Sequence, residues 1–132
     1  MRKLSIYKIK DNRGKLQAVW KNKKTLEQEE SNNKYLPESV DKIIELQIIS
    51  VSKEGRGYGK DLFNEFKKSK MYKEADAIYA DINPFMGSGR NENRVMDKIE
   101  KIYKSWGFRN KHKWSRMWIF KNIEIKDGEL PT

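Results

Sequence analysis

One stretch near the middle of the chain constrains its fold most, because an apolar run leads through closely spaced glycines into a helical pattern. The apolar run covers residues 43–51, three glycines alternate over residues 55–59, and apolar residues with helical spacing follow at 62–66. A strand that turns through glycines into a helix gathers free backbone N–H groups at one point, where the helix dipole adds partial positive charge. The pattern predicts an anion site, to which Arg56 adds a cation.

The spacing of these glycines does not match the two common nucleotide-binding motifs. A Walker A loop ends in Gly-Lys-Ser/Thr, whereas Lys60 is followed here by Asp61. The dinucleotide fingerprint Gly-x-Gly-x-x-Gly is also absent, since the glycines lie on alternate residues. A plain turn between a strand and a helix is therefore the alternative interpretation of this loop.

Composition limits the kinds of protein that this chain can be. Its 132 residues are enough for one domain with its own core, and 36% hydrophobic residues agree with a globular protein. Cysteine is absent and His112 is the single histidine, so we expect no metal site and no cysteine nucleophile. No apolar stretch reaches the ~18 residues that span a membrane, so we expect a cytoplasmic protein without a membrane partner.

Alternating and helical patterns predict the order of the secondary structure. We expect strands over 4–9, 16–21, 42–52 and 77–82, helices over 57–70 and 95–106, and two final strands over 108–113 and 115–120. Residues 22–39 and 85–89 are predicted to be loops, the first with one helical turn near Leu26. Long helices that follow strands favour an α/β fold with a mixed sheet. Residues 1–125 would form a single domain and residues 126–132 a flexible tail.

Two segments resemble landmarks of the GCN5-related N-acetyltransferase (GNAT) family. Residues 54–59, Glu-Gly-Arg-Gly-Tyr-Gly, resemble the family's Gln/Arg-x-x-Gly-x-Gly/Ala loop, which holds the pyrophosphate of acetyl-coenzyme A. Residues 45–51 are similar to the family's fourth strand, and residues 103–108 resemble the Tyr-x-x-x-Gly-Phe that closes its last helix. The resemblance covers roughly residues 40–121 and implies a GNAT fold with a shortened N-terminal part: a mixed, mostly antiparallel sheet flanked by helices. In size the chain is similar to compact members from phages and plasmids.

The resemblance implies an enzyme that moves acetyl from acetyl-coenzyme A directly to a primary amine, without a metal or a covalent enzyme intermediate. Tyr103 would be the general acid that protonates the departing thiolate, and Glu45 the general base. Backbone groups of the fourth strand would hold the pantetheine arm like an added strand and polarise the thioester. The expected cofactor-binding residues are Ile49, Ser50, Val51, Glu54, Gly55, Arg56, Gly57, Tyr58, Gly59 and Lys60.

These assignments have structural alternatives. Tyr103 would otherwise be a core aromatic, and Glu45 a strand carboxylate paired with a lysine. The predicted strand over residues 77–82 and the residue after it carry alternating Tyr79, Asp81 and Asn83. One of these side chains would contact the acceptor; alternatively, their spacing is the ordinary alternation of a half-buried strand.

The charge of the chain indicates its class of partner. A net charge of +10 attracts phosphate, whether in nucleic acid, anionic lipid or the cofactor itself. Much of the positive charge lies between Arg109 and Lys121, where Trp114 and Trp118 are interleaved with the cations. This segment is either a platform that binds nucleic acid or a strand whose aromatics face the core and whose cations face water. A protein lysine or an aminoacyl-tRNA amine is therefore a plausible acceptor. The alternative function is a catalytically inactive domain of the same fold that binds nucleic acid or a host protein, which Glu54 in place of Gln or Arg favours.

Overall fold

The computed structural model describes residues 6–29, 36–53, 55–82 and 92–131. Within these ranges the chain is an α/β protein with an open, mixed and mostly antiparallel sheet flanked by helices. The strands are β1 (Ile6–Asp11), β2 (Gly14–Lys21), β3 (Ile43–Val51), β4 (Ala77–Ala80) and β5 (Met117–Phe120). The helices are α1 (Lys23–Glu29), α2 (Tyr58–Lys67), α3 (Lys70–Glu74) and α4 (Glu92–Ser105).

The order of the strands in the sheet follows their order in the chain, β1-β2-β3-β4-β5. β3 and β4 are parallel, and the other neighbouring pairs are antiparallel. A parallel pair needs a crossover connection, which α2 and α3 supply here on one side of the sheet. The predicted mixed sheet is confirmed, and no helix within the described ranges is long and apolar enough to cross a membrane.

A tight turn between β1 and β2 ties the hairpin to the glycine loop and to α2. Arg13 Nη2 donates to Asp11 Oδ2 at 2.6 Å and to Glu65 Oε1 of α2 at 2.7 Å. Ser52, which follows β3, donates its backbone N–H to the carbonyl of Arg13 at 2.9 Å and its hydroxyl to the carbonyl of Asn12 at 2.6 Å. The chain therefore enters the glycine loop from a fixed position.

A bulge in β3 changes the direction of the side chains along this strand. Ala18 of β2 pairs with Leu46 and Gln17 pairs with Ile48, so Gln47 is the extra residue. An extra residue shifts the alternation of side chains by one position. As a result, Leu46 and Ile49 contact the same hydrophobic core although they are separated by an odd number of positions.

β3 and β4 diverge after a short parallel pairing. The paired residues run from Ile43↔Ala77 to Leu46↔Ala80, where β4 ends. β3 continues to Val51, with β2 pairing along its other edge. Within the described residues, the edge of β3 beyond Leu46 therefore has no strand partner, and a gap opens there in the sheet.

Hydrophobic side chains pack on both faces of the sheet. On one face, the first core joins Leu16 of β2 and Phe63 and Phe66 of α2 with the apolar side of α4. On the other face, the second core joins Leu26 of α1 and Trp118 of β5 with residues near the C-terminus. Both faces of β3 and β4 are thus covered, as parallel strands require.

The predicted strand over residues 108–113 is wrong. Only a single bridge, Arg109↔Trp118, replaces it, and the chain then turns before β5. Trp114 has a φ of +64°, a left-handed conformation that a continuous strand does not contain. The turn is held to α4 by the Glu100 carboxylate, which accepts hydrogen bonds from Asn110 Nδ2 and the Trp114 N–H, both at 2.6 Å.

Other boundaries also differ from the predictions. The expected loop over residues 22–39 contains α1, because Leu26 is buried in the second core. The expected helix over residues 57–70 ends at Lys67, and α3 starts after Ser69, whose hydroxyl accepts from the N–H of Tyr72 at 3.2 Å. In the segment that we assigned to a tail, Leu130 is 1% exposed and packs into the second core. Residues 1–5 and the predicted loop 85–89 lie outside the described residues.

Asp76 fixes the starts of β3 and β4 relative to each other, and its replacement should destabilise the fold. Its Oδ2 accepts the N–H of Lys42 at 2.9 Å and that of Asp41 at 3.0 Å. These bonds, above all the one from Lys42, lower the pKa of Asp76. We expect Asp76→Ala to cost about 1–3 kcal/mol, because two N–H groups lose their acceptor, and to lower Tm by roughly 3–10 °C.

The pH dependence of stability provides a further check on Asp76. Because its folded-state pKa is lowered, its contribution is present above the unfolded-state pKa of ~3.9 and is lost as the pH falls through the lower folded value. The gap in Tm between wild type and Asp76→Ala should therefore narrow from pH 7 to pH 3, as measured by circular dichroism. Asp76→Asn keeps an acceptor oxygen and should lose less at pH 7. Equal melting of wild type and the alanine variant at pH 7 would show that these bonds contribute nothing.

Candidate functional site

A cavity of about 430 Å³ lies beside the unpaired end of β3, between the glycine loop and α4. Its volume is in the range of small-molecule sites. Val51 at its wall is 38% exposed and Ile102 is 40% exposed, so apolar surface from β3 and α4 faces open space. The residues that line the cavity are Ile49, Val51, Lys53, Gly55, Gly57, Tyr58, Gly59, Lys60, Lys98, Ile99, Ile102, Tyr103, Ser105 and Trp106.

The glycine loop forms one end of this cavity and presents the start of α2 to it. Gly55 and Gly57 have φ values of +77° and +72°, in the left-handed region that favours glycine. Gly57 is the N-cap of α2, and no side chain caps the helix there. The first N–H groups of an α-helix lack partners within the helix. The loop therefore offers backbone donors and the positive end of the helix dipole to an anion in the cavity.

The third glycine has a packing role. A Cβ at Gly59 would lie 3.2 Å from Cζ2 of Trp106 and 3.6 Å from Cγ1 of Val51. The indole of Trp106 also stacks on the ring of Phe63, with centroids 5.2 Å apart and planes 14° apart. Glycine at position 59 thus lets the first turn of α2 lie directly against the C-terminal end of α4. This contact sets the width of the cavity between the loop and α4.

Three exposed lysines line the cavity and give it a positive charge. Lys53 precedes the glycines, Lys60 belongs to the first turn of α2, and Lys98 comes from α4. Cations on both sides of the opening suit a ligand that carries several negative charges. Apolar walls beside such an end suit a ligand that is anionic in one part and less polar in another.

Tyr103 of α4 is the titratable side chain at the cavity whose acid–base properties are most perturbed. Its ring lies edge-on to Trp106 at 5.3 Å and tilted to Phe108 at 5.2 Å. Burial raises the pKa of Tyr103 to about 12, and the negative charge of Asp81 adds to this effect. Asp81 is held in turn by Arg116, whose Nε donates to it at 2.6 Å. The phenol of Tyr103 therefore stays protonated at neutral pH and serves as a proton or hydrogen-bond donor.

Glu45 does not line this cavity. It pairs in register with Tyr79, whose side chain belongs to the second core, so Glu45 lies on the opposite face of the sheet from Tyr103. Lys21 Nζ is 3.8 Å from its Oε1, and Gln47 Nε2 donates to the same oxygen at 3.2 Å. The carboxylate is thus paired with a lysine on the strand, which was the alternative to a general base.

No protein-family model, curated protein or solved structure matches the chain at a significant level. The function is therefore inferred from the cavity, its charge and the loop motif.

The structure brings together most of the residues that we predicted for the site. Tyr103 and seven of the expected cofactor-binding residues line one cavity: Ile49, Val51, Gly55, Gly57, Tyr58, Gly59 and Lys60. Ser50 and Arg56 are exposed but are not part of its lining, and Glu54 lies outside the described residues.

The sequence analysis did not assign Lys53, Lys98, Ile102 and Trp106 to the site. Ile102 and Trp106 lie on the apolar face of the helix that we predicted over residues 95–106, and we gave them no role in the site. The exposure of Ile102 shows that this apolar face is wider than the core it covers. An apolar stripe that exceeds its core is the signal that identifies such residues, and only a three-dimensional structure shows the excess.

The surface between Arg109 and Lys121 differs from an open nucleic-acid platform. Trp118 is fully buried, and Arg116 Nε donates to Asp81 at 2.6 Å. Lys121 Nζ donates to the carbonyl of Tyr72 and lies 4.5 Å from the centre of its ring. Lys113 Nζ also lies 3.6 Å from Asp97 Oδ1, so most of the charge that we assigned to this surface is engaged within the molecule.

Proposed function

We propose that the chain is a compact GNAT-type N-acetyltransferase that binds acetyl-coenzyme A in this cavity and transfers the acetyl group directly to a primary amine. The observation that carries the proposal is that a single cavity joins the unpaired end of β3, the glycine loop and Tyr103. These are the places that the sequence resemblance assigns to the pantetheine arm, the pyrophosphate and the departing sulfur. A protein lysine or an aminoacyl-tRNA amine is the proposed class of acceptor.

The chemistry of the cavity fits the two halves of an acyl-coenzyme A. The glycine loop, with Lys53 and Lys60, offers backbone donors and cations to the pyrophosphate. The unpaired edge of β3 offers backbone N–H and C=O groups to the amides of the pantetheine arm, as a strand offers them to an added strand. Ile99 and Ile102 of α4 supply the apolar wall on the other side of the arm.

Direct transfer needs one bond to form and one to break. The neutral amine attacks the thioester carbonyl carbon, the C–N bond forms, the C–S bond breaks, and the thiolate leaves with the C–S electron pair. A backbone N–H at the end of β3 polarises the carbonyl oxygen in this proposal, and the Tyr103 hydroxyl donates a hydrogen bond to the sulfur as the C–S bond breaks. The nitrogen becomes cationic when it bonds to the carbonyl carbon and then loses its extra proton. Glu45 was the predicted base, but it lies on the opposite face of the sheet from Tyr103, so solvent water takes the proton in this proposal.

One observation favours the second candidate, a domain of the same fold that binds ligands without catalysis. Glu45 is engaged by Lys21 on the face opposite to Tyr103, so the proposed acid and base are separated by the sheet. Such a domain would bind acetyl-coenzyme A, or its partner, without turning it over. Binding and turnover therefore need to be measured separately.

Acetyl-coenzyme A should stabilise the protein measurably. At about 100 times its dissociation constant, a ligand that binds only the folded state adds about 2.7 kcal/mol, which corresponds to a rise in Tm of roughly 6–12 °C for a domain of this size. Calorimetry and thermal unfolding with acetyl-coenzyme A measure this effect directly. ADP, which has the pyrophosphate but no pantetheine arm, should bind more weakly. No shift at millimolar acetyl-coenzyme A would contradict both the enzyme and the inactive cofactor-binding domain.

A further inference from the structure

One side of the β1–β2 hairpin carries lysines that have no structural role in either core. Ile9 and Leu16 pack into the first core, so strand alternation directs the intervening side chains to the other face of the sheet. Ile6 on this face is 44% exposed, which shows that this half of the sheet is open to solvent. We call it the lysine face, and its cations are Lys8, Lys10, Lys15 and Lys21.

Most of the charge on the lysine face is uncompensated. Within the described part of the chain, the ammonium groups of Lys8, Lys10 and Lys15 have no hydrogen bond or ion pair. Lys10 and Lys15 are directly opposite each other on the two strands, an arrangement that destabilises a sheet because the charges are alike. Glu45, a carboxylate of β3 on this face, is already engaged by Lys21, whose Nζ lies 3.8 Å from its Oε1.

We propose that the lysine face binds the phosphate backbone of a nucleic-acid duplex. Side chains on one face of a strand repeat every ~6.7 Å, and neighbouring strands lie ~4.8 Å apart, so several lysines reach successive phosphates together. Single-stranded nucleic acid is bound on aromatic side chains, and the face has none within the described strands. A protein partner requires an apolar, lysine-poor centre, whereas this face has four lysines and only Ile6 and Val19 as apolar residues.

This inference is independent of the proposed acetyl transfer. The cavity is lined by residues such as Ile49 and Tyr103 that pack against the first core, whereas the lysine face lies on the other side of the sheet. Duplex binding should therefore have the same affinity with and without saturating acetyl-coenzyme A. If duplex binding or acetyl-coenzyme A binding is not found, the other can still be measured in the same preparation.

The test measures the affinity of a fluorescein-labelled 24-base-pair DNA duplex by anisotropy from 50 to 200 mM NaCl. Three phosphate contacts, one for each unpaired lysine, predict a slope of log K against log salt of about −2.7, and a loss of about 40-fold in affinity over this range. The double variant Lys8→Gln/Lys10→Gln should reduce the slope to about −0.9, with a loss in affinity of only about 3-fold over the same range. The matched control Lys68→Gln/Lys101→Gln removes two exposed lysines on the side of α2 and α4 and should keep the wild-type slope.

Each other outcome overturns the proposal. No duplex binding at 50 mM NaCl would leave the lysines only the role of protecting an edge strand from aggregation. An equal reduction in the control variant would place the site elsewhere. Tighter binding of the matching 24-base single strand would exclude a duplex ligand. Stronger competition by poly-glutamate than by unlabelled duplex of the same total charge would identify an acidic protein as the partner instead. Circular dichroism of each variant verifies that it is folded.

Discussion

Replacing Gly57 by aspartate should weaken acetyl-coenzyme A binding by about 10²-fold or more. The left-handed φ of +72° at this position is tolerated by Asp and Asn better than by other side chains, and an added Cβ meets no atom within 4 Å. The new carboxylate would therefore project into the anion site at the start of α2 while the fold is kept. At ~4 Å from a phosphate, like charges repel by about 4 kcal/mol at an effective dielectric constant of 20, which is more than the ~2.8 kcal/mol that a 10²-fold loss of affinity requires.

Asparagine at position 57 is the matched control for this prediction. Gly57→Asn has the same shape and nearly the same backbone strain as Gly57→Asp, but it carries no charge. Calorimetry should show that the asparagine variant keeps most of the wild-type affinity, and thermal unfolding should give similar Tm values for both variants without ligand. Equal affinity of the two variants for acetyl-coenzyme A would remove the loop from the phosphate site and leave it as a plain turn.

The part of the site formed by β3, the glycine loop and α2 was predictable because the sequence patterns that indicate it are local. These three elements follow one another directly in the chain, from β3 through the closely spaced glycines to the amphipathic α2. Each of them is determined by residues that are neighbours in the sequence. The positive φ values at Gly55 and Gly57 give the physical reason for two of the glycines. The third, Gly59, is required by Trp106, a residue 47 positions away, so its role depended on tertiary packing.

The position of Glu45 shows where sequence patterns fail. Strict alternation places residues 45, 49 and 51 on one face of the strand, together with the cofactor-binding residues. The bulge at Gln47 shifts this alternation, so Glu45 faces the side of the second core while Ile49 contacts the first core. A bulge depends on the pairing with β2, and nothing within residues 43–51 marks it.

The gap in the sheet was not predictable from local patterns either. It arises because the parallel pairing with β4 stops at Ala80 while β3 continues to Val51. The length of each strand was predicted approximately, but the register between two strands that are separated by α2 and α3 is a non-local property. The cavity exists because of this register, and thus the sequence assigned Tyr103 to the site but not Ile102 and Trp106, which line the same cavity from α4 and its C-terminal end.

Replacement of Tyr103 is the variant that best distinguishes an enzyme from a domain that binds ligands without catalysis. Tyr103→Phe should lower the rate of acetyl transfer by roughly 10²-fold or more, within the range that proton transfer contributes to catalysis, and should leave the affinity for acetyl-coenzyme A nearly unchanged. The phenyl ring keeps the contacts with Trp106 and Phe108, so the free energy of unfolding should change by less than about 1 kcal/mol. Release of the coenzyme A thiol with a lysine peptide or polylysine as acceptor provides the rate.

The pH profile of the wild-type rate should show no fall from ionisation of Tyr103. With a pKa of about 12, Tyr103 stays protonated up to pH 10, so it causes no fall in rate in that range. An acceptor amine of pKa ~10.4 gains reactivity as it loses its proton, and the wild-type rate should rise steadily from pH 7 to pH 10. Complete proton transfer from a phenol of this pKa to a free thiolate, whose conjugate acid has a pKa of ~8.5, is uphill by roughly 5 kcal/mol. Tyr103 therefore acts by hydrogen bonding to the sulfur as the C–S bond breaks, before the free thiolate forms.

If Tyr103 donates a hydrogen bond to the leaving group, the loss of rate in Tyr103→Phe should depend on how basic the leaving group is. In Tyr103→Phe the leaving group has no hydrogen-bond donor, so the rate of acyl transfer should fall most for substrates with poorer leaving groups. An acyl oxygen ester of a pantetheine analogue, whose leaving alkoxide is far more basic than a thiolate, should lose more rate on substitution than acetyl-coenzyme A does. Equal losses for both substrates would mean that Tyr103 orients the thioester, and a wild-type rate in the phenylalanine variant would make it a core aromatic whose hydroxyl takes no part in the transfer.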